Sequence, residues 1–137
     1  MTLAKAEALL LRHKAQQRLR LMRATDPTGH KVEHAKLSAR LPKNALGLRK
    51  LKLVFSAKRL VRIKLYGEHM VRWVSKRAGR ATRTLAKSRY WLDEKHLRGI
   101  RCEPRRCELF DLRPLIGRGL SRKQVEAQYR NIVARSK

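Results

Sequence analysis

Residues 50–79 read KLKLVFSAKRLVRIKLYGEHMVRWVSKRAG, and the period assigned to them decides the fold. At the start of the segment Leu51, Leu53 and Phe55 are set against Lys50, Lys52 and Val54. That alternation permits a short strand or an extended arm. Ser56 then has the side chain of a helix N-cap. Leu60, Ile63, Gly67, Met70, Val74 and Ala78 follow at steps of three or four residues, up to Gly79. This spacing predicts an amphipathic helix with Arg59, Arg62, Arg72, Lys76 and Arg77 on its other faces. Gly67 inside a helix costs about 1 kcal/mol relative to Ala, so it marks close packing or a kink.

Downstream, residues 84–97 continue the helical reading, with Leu85, Trp91 and Leu92 as apolar points and Gly99 as the stop. The two segments predict an antiparallel helical hairpin, with Trp73 and Trp91 in its core. Upstream, Thr2 caps a helix reaching residue 24, whose stripe is Ala4, Ala8, Leu11, Ala15, Leu19 and Met22. Asp26, Pro27, Thr28 and Gly29 read as a turn, residues 31–41 as a short helix ending before Pro42, and residues 43–49 as a loop. Residues 100–114 break the pattern and read as an irregular loop. Ser121 and Gln124 form a capping box that opens a last helix, with Val125, Tyr129, Ile132 and Val133 as its stripe.

The expected fold is therefore mainly α. It comprises a basic N-terminal helix and turn (residues 1–29), a basic helical core (30–99), and a loop with a capped C-terminal helix (100–137), all in one extended unit.

Charge is the second strong signal. Between His34 and Leu92 stand 17 Lys or Arg residues and one acid, Glu68. The whole chain of 137 residues carries 36 basic against 10 acidic side chains, a formal charge of +26. So dense a charge repels itself in a compact state, and a polyanion is the natural complement. Nucleic acid meets that need, because each phosphate contacted by Lys or Arg releases a condensed counterion. Arg outnumbers Lys 22 to 14, which suits bidentate phosphate binding.

Catalytic constellations do not emerge. The only adjacent acids, Asp93 and Glu94, point to different faces of a helix and make no carboxylate dyad. Glycine-rich phosphate loops and a G-x-S-x-G elbow are missing from the sequence. Cys102 and Cys107 lack the second ligand pair of a zinc site, and His30 with His34 has only i, i+4 spacing. The two cysteines read as free thiols of a reducing compartment. No enzyme activity, metal, cofactor or small-molecule substrate is expected, and no apolar run is long enough for a transmembrane helix.

The elements Arg106-Cys107-Glu108-Leu109, Arg113-Pro114 and Gly119-Leu120-Ser121-Arg122 have a counterpart. They resemble the C-terminal part of the fourteenth protein of the bacterial small ribosomal subunit, a family with organellar members. In that family an R-C, an R-P-R-G and a G-L-S-R element follow in this order, and a helix begins at the serine. Leu115 stands where the family has Arg, and the spacings between elements differ by one or two residues. The likeness lies within residues 106–133. It implies that Arg106, Arg113, Arg118 and Arg122 meet ribosomal RNA of the small-subunit head.

Residues 1–25 also have the composition of an import helix, with Lys5, Arg12, Lys14, Arg18, Arg20 and Arg23 against Glu7. The expectation is a structural constituent of a ribosome, mitochondrial before cytoplasmic or other organellar, whose partners are ribosomal RNA and neighbouring ribosomal proteins. RNA contacts are assigned to Arg12, Arg20 and Arg23 of the first helix, and to Arg49, Lys50 and Lys52 after it. The hairpin adds Lys58, Arg59, Arg62, Lys64, Arg72, Lys76, Arg77, Arg80, Arg83, Lys87 and Arg89. Three alternatives share this composition: a ribonucleoprotein assembly factor, an architectural DNA-binding protein, and, for residues 2–24 alone, a membrane-surface helix.

Overall fold

Residues 50–79 fold as strand, turn, strand and helix, and the long helix expected from Ser56 onward does not form. The computed structural model describes residues 2–25, 29, 31–44, 47–56, 58–85, 87–116 and 120–134. Strand β3 is Leu48–Ser56, β4 is Arg59–Gly67, and helix α2 is Met70–Ala78. The apolar steps at 60, 63 and 67 fit a helix, but Val61, Ile63 and Leu65 also alternate with Arg62, Lys64 and Tyr66. Pairing with β3, in which Leu53 lies opposite Ile63 and Lys52 opposite Lys64, satisfies that second period. Only α2 keeps the expected helix, and it ends at Gly79 (φ 76°), the stop read from sequence.

The same correction applies along the chain. Thr2 does cap a helix, its Oγ1 accepting from the Lys5 N–H at 3.3 Å. That helix, α1, is only Leu3–Arg12. Residues beyond it form β1 (Gln16–Thr25), and the expected helix over 31–41 is β2 (Lys31–Arg40). In place of a helix over 84–97 stand β5 (Arg83–Leu85) and β6 (Ser88–Asp93). The expected loop at 100–114 is largely the β7–β8 hairpin (Arg98–Glu103 and Arg106–Asp111), followed by a 3-10 turn at Arg113–Leu115. The helical hairpin is therefore absent, and the fold is mostly antiparallel sheet, not mainly α.

Helix α3 (Arg122–Ala134) forms as read. The Ser121 N–H donates to Gln124 Oε1 at 2.7 Å, and the Gln124 N–H donates to Ser121 Oγ at 3.3 Å, the reciprocal pair of a capping box. The turn residues Asp26, Pro27 and Thr28 lie outside the described residues.

The eight strands make one sheet in the order β1-β2-β3-β4-β8-β7-β6-β5. Every neighbour pair is antiparallel. Two meanders, β1–β4 and β5–β8, are thus joined along β4 and β8. Because side chains alternate across a strand, each face has its own residue set. One face carries Leu37, Leu53 and Phe55, buried with Ala6 and Leu10 of α1. On the same face Met70 and Val74 of α2 pack on Trp91, Cys102 and Cys107. The Trp91 indole N–H donates to the Gly79 carbonyl at 3.1 Å, tying the end of α2 to β6. Among the described residues, the opposite face is covered toward β7 and β8, where Val125 and Tyr129 of α3 pack on Leu97, Phe110 and Leu112.

Gly67 is a place of close approach, although not within a helix. A Cβ there would collide with the Gly47 carbonyl oxygen across the β3–β4 pair. Cys102 and Cys107 face each other in register across the β7–β8 hairpin and are joined in a disulfide, which corrects the expectation of free thiols.

Candidate nucleic-acid interface

Among the described residues, the uncovered part of the second sheet face spans β1 to β4, and eight of its side chains are cationic, interspersed with Gln16, Met22, His34, Ser38, Val54 and Tyr66. Strand β1 contributes Arg18 and Arg20, β2 contributes Lys36 and Arg40, β3 contributes Lys50 and Lys52, and β4 contributes Arg62 and Lys64. The pairing arranges them in rows across the strands. Arg18, Ser38, Lys52 and Lys64 are successive register partners, and so are Arg20, Lys36, Val54 and Arg62. Neighbouring strands stand about 4.8 Å apart, and residues two apart on one strand about 6.8 Å. A grid of positive charge results.

The grid lacks internal neutralisation. Arg62 reaches Glu108 of β8 at 3.5 Å. Among the described residues, Arg18, Arg20, Lys36, Arg40, Lys50, Lys52 and Lys64 have no carboxylate within ion-pair distance. Lys52 and Lys64 lie directly opposite each other, where like charges destabilise a sheet. Tyr66 gives part of the grid a fixed position, because the ammonium groups of Lys50 and Lys52 lie 5.7 and 5.8 Å from its ring centroid. Such cation–π contacts contribute roughly 0.5–1 kcal/mol each at exposed sites.

Acids of the chain are concentrated at the other meander. Glu103 accepts from Arg101 at 2.6 Å and from Arg106 at 3.1 Å. Arg101 beside it holds the Glu103 carboxyl below the usual range. Asp93 binds His96 and Arg98, and the His96 hydrogen bond holds its carboxyl low. Asp111 accepts from the Arg113 guanidinium and from the Arg113 N–H, which lowers its carboxyl in the same way. Tyr129 of α3, buried against the sheet, donates to the Arg98 carbonyl at 3.3 Å, and burial pushes its hydroxyl up to about 12.

The residues assigned to RNA from sequence divide accordingly. Arg20, Lys50, Lys52, Arg62 and Lys64 share the open face, and Arg106 borders it while paired with Glu103. Arg23 is on the opposite face of β1, beside Glu33 in register. Arg12 is in the last turn of α1, and Arg49 stands at the register shift between Leu48 and Lys50. Lys58, with φ 68°, and Arg59 lie at the β3–β4 connection. Arg72, Lys76 and Arg77 lie on exposed turns of α2, with the Arg77 guanidinium 4.6 Å over the Trp73 ring. Arg80, Arg83, Lys87 and Arg89 lie around the β5–β6 hairpin.

Of the four arginines implied by the ribosomal resemblance, Arg106, Arg113 and Arg122 each have a carboxylate partner: Glu103, Asp111 and Glu126. Arg118 lies outside the described residues, as does His30. Arg18, Lys36 and Arg40 join the face without having been assigned to it. Their signal was the alternation of Arg18 and Arg20 with Leu19 and Leu21, which a helical stripe conceals.

No protein family, curated protein or solved structure matches the chain. Among the described residues no group of three His, Cys, Asp or Glu could hold a metal ion, and no helix is long and apolar enough to cross a membrane.

Proposed function

We propose that this protein binds RNA through the open face of β1–β4, and that it does so as a structural constituent of a ribosome. The observation that carries the reading is the grid from Arg18 to Lys64, seven of whose cations have no carboxylate in reach among the described residues. Phosphates laid across the face would neutralise it and relieve the Lys52–Lys64 opposition. Contacts of this kind position a protein on RNA and carry little sequence information by themselves. Among the described residues of the open face, Tyr66 is the one aromatic ring beside the basic side chains, so the mechanism is phosphate neutralisation and not successive base stacking.

Ribosomal RNA is the RNA proposed, neighbouring ribosomal proteins are further partners, and a mitochondrial ribosome is the proposed setting. The support for that finer statement is the basic composition and the resemblance of the segment from Arg106 to Arg122. The test has two parts. At one ionic strength, affinity for ribosomal RNA should exceed affinity for duplex DNA of the same length; the reverse order would make the protein an architectural DNA binder. On gradients, the protein should co-sediment with mature, translating ribosomes. Sedimentation with immature particles alone would reassign it to assembly, and absence from both would refute the ribosomal role.

A further inference from the structure

The outer edge of β1 is a second surface: the RNA reading uses Arg18 and Arg20 of this strand, but neither its outer main-chain edge nor its leucines. All ten residues of β1 pair with β2, from Gln16 opposite Arg40 to Thr25 opposite Lys31, without a bulge. β1 ends the strand order, so among the described residues β2 is its only strand neighbour. The far edge of the sheet, β5, is three residues long. Proteins ordinarily blunt a long edge by shortening, bulging, covering or charging it, because its free N–H and C=O groups template another strand. Among the described residues β1 has only the last of these, through Arg18, Arg20 and Arg23, and that charge selects for an acidic strand.

The side chains of β1 add chemistry to that edge. Leu19, Leu37, Leu53 and Ile63 are successive register partners on the face that carries α1. Leu37 is 0% exposed and Leu53 7%, yet the row continues outward to Leu19, which is 42% exposed, with Leu21 beside it at 59%. A core row that ends on uncovered leucines lacks its last strand. On the other face of the same strand the edge presents Arg18 and Arg20.

We infer that β1 accepts an extended strand from an acidic partner protein, with apolar side chains beside Leu19 and Leu21 and carboxylates beside Arg18 and Arg20. Main-chain hydrogen bonds would provide affinity, and the two alternating faces specificity. A second copy of this chain is excluded as occupant, because an antiparallel β1–β1 pair would bring the Arg18 and Arg20 faces together in two chains of charge +26. RNA is excluded because it supplies no apolar side chains to complete the leucine row.

Three ten-residue peptides test this against the full-length, RNA-free protein: alternating Glu and Val, the same composition with all Glu before all Val, and alternating Lys and Val. The alternating Glu peptide should bind at least about tenfold more tightly than either control. It should also slow hydrogen exchange within Gln16–Thr25. Leu19→Lys with Leu21→Lys should abolish that preference with an unchanged circular dichroism spectrum, since both leucines are exposed. Equal binding of the block peptide would show mere polyanion attraction and overturn the proposal. Protection confined to β3 and β4 would do the same.

Discussion

Replacing Lys36, Lys52 and Lys64 together by Gln removes three charges from the centre of the open face and tests the proposed RNA contact directly. Each phosphate neutralised contributes about 0.7 to 0.9 to the slope of log affinity against log salt. The seven cations without a carboxylate partner therefore give a slope of about −5 to −6 if all meet phosphates. Between 50 and 200 mM salt, affinity then falls by about three to four orders of magnitude. The triple variant, with four such cations, should show a slope of about −3 to −3.5 and a fall of about two orders. Filter binding or anisotropy across that salt range, with one ribosomal RNA fragment, measures both slopes. The matched control is Arg72→Gln, Lys76→Gln and Arg80→Gln, three exposed cations of α2 and the segment after it. It removes the same formal charge from another surface, so its slope should stay at the wild-type value, since distant charges are screened beyond about 10 Å at 0.1 M salt. Equal slopes for the two triples, or a larger loss in the α2 set, would refute the sheet face as the binding surface. A near-flat wild-type slope would sink phosphate neutralisation altogether.

Four further outcomes test the fold. Gly67→Ala should destabilise by about 1–3 kcal/mol in urea titration, because its Cβ meets the fixed Gly47 carbonyl and not a yielding side chain. Ser121→Ala should cost about 1 kcal/mol through loss of the N-cap bond to Gln124, and a melting temperature unchanged from wild type would show that α3 does not depend on its cap. Asp111, with its carboxyl held low by Arg113, should stabilise the protein fully above the unfolded carboxylate range near 4 and lose that contribution as pH falls through its own lower value. The difference in melting temperature between wild type and Asp111→Asn should then stay constant from about pH 7 to 5 and shrink below about 4; a difference that persists at pH 2 would contradict the pairing. Thiol titration of unreduced, denatured protein should find neither Cys102 nor Cys107 free, and two reactive thiols would restore the reading made from sequence.

Much of the candidate interface was legible in the sequence as charge, and little of it as geometry. Lys50, Lys52, Arg62 and Lys64 could be named from the basic run between His34 and Leu92, and Arg20 from the basic N-terminal segment, yet nothing in a helical reading placed them on one surface. A helical period of 3.6 over residues 3–24 and 31–41 hides Arg18, Lys36 and Arg40. Leu19 and Met22 satisfy that period, while Leu19 and Leu21, alternating with Arg18 and Arg20, satisfy a period of two. Short apolar runs fit both templates, and propensity cannot separate them.

The sequence by itself determined the features that depend on near neighbours. These are the Thr2 cap, the Ser121–Gln124 capping box, the end of α2 at Gly79 and the extended stretch from Leu51 to Phe55. It also determined the net charge, which no fold can alter. The tertiary structure alone decided between helix and strand, through partners distant in sequence. β4 becomes a strand when Leu65 meets Cys107 and Lys64 meets Glu108 of β8, and β1 when its ten residues find β2. Main-chain hydrogen bonds that a helix makes locally are made here across the sheet. The gain is a face that buries Leu37, Leu53 and Phe55 under α1 and leaves the alternate side chains in solvent. That alternation gathers scattered lysines and arginines into one surface, since the strand period, and not the order of residues along the chain, sets which charges are neighbours.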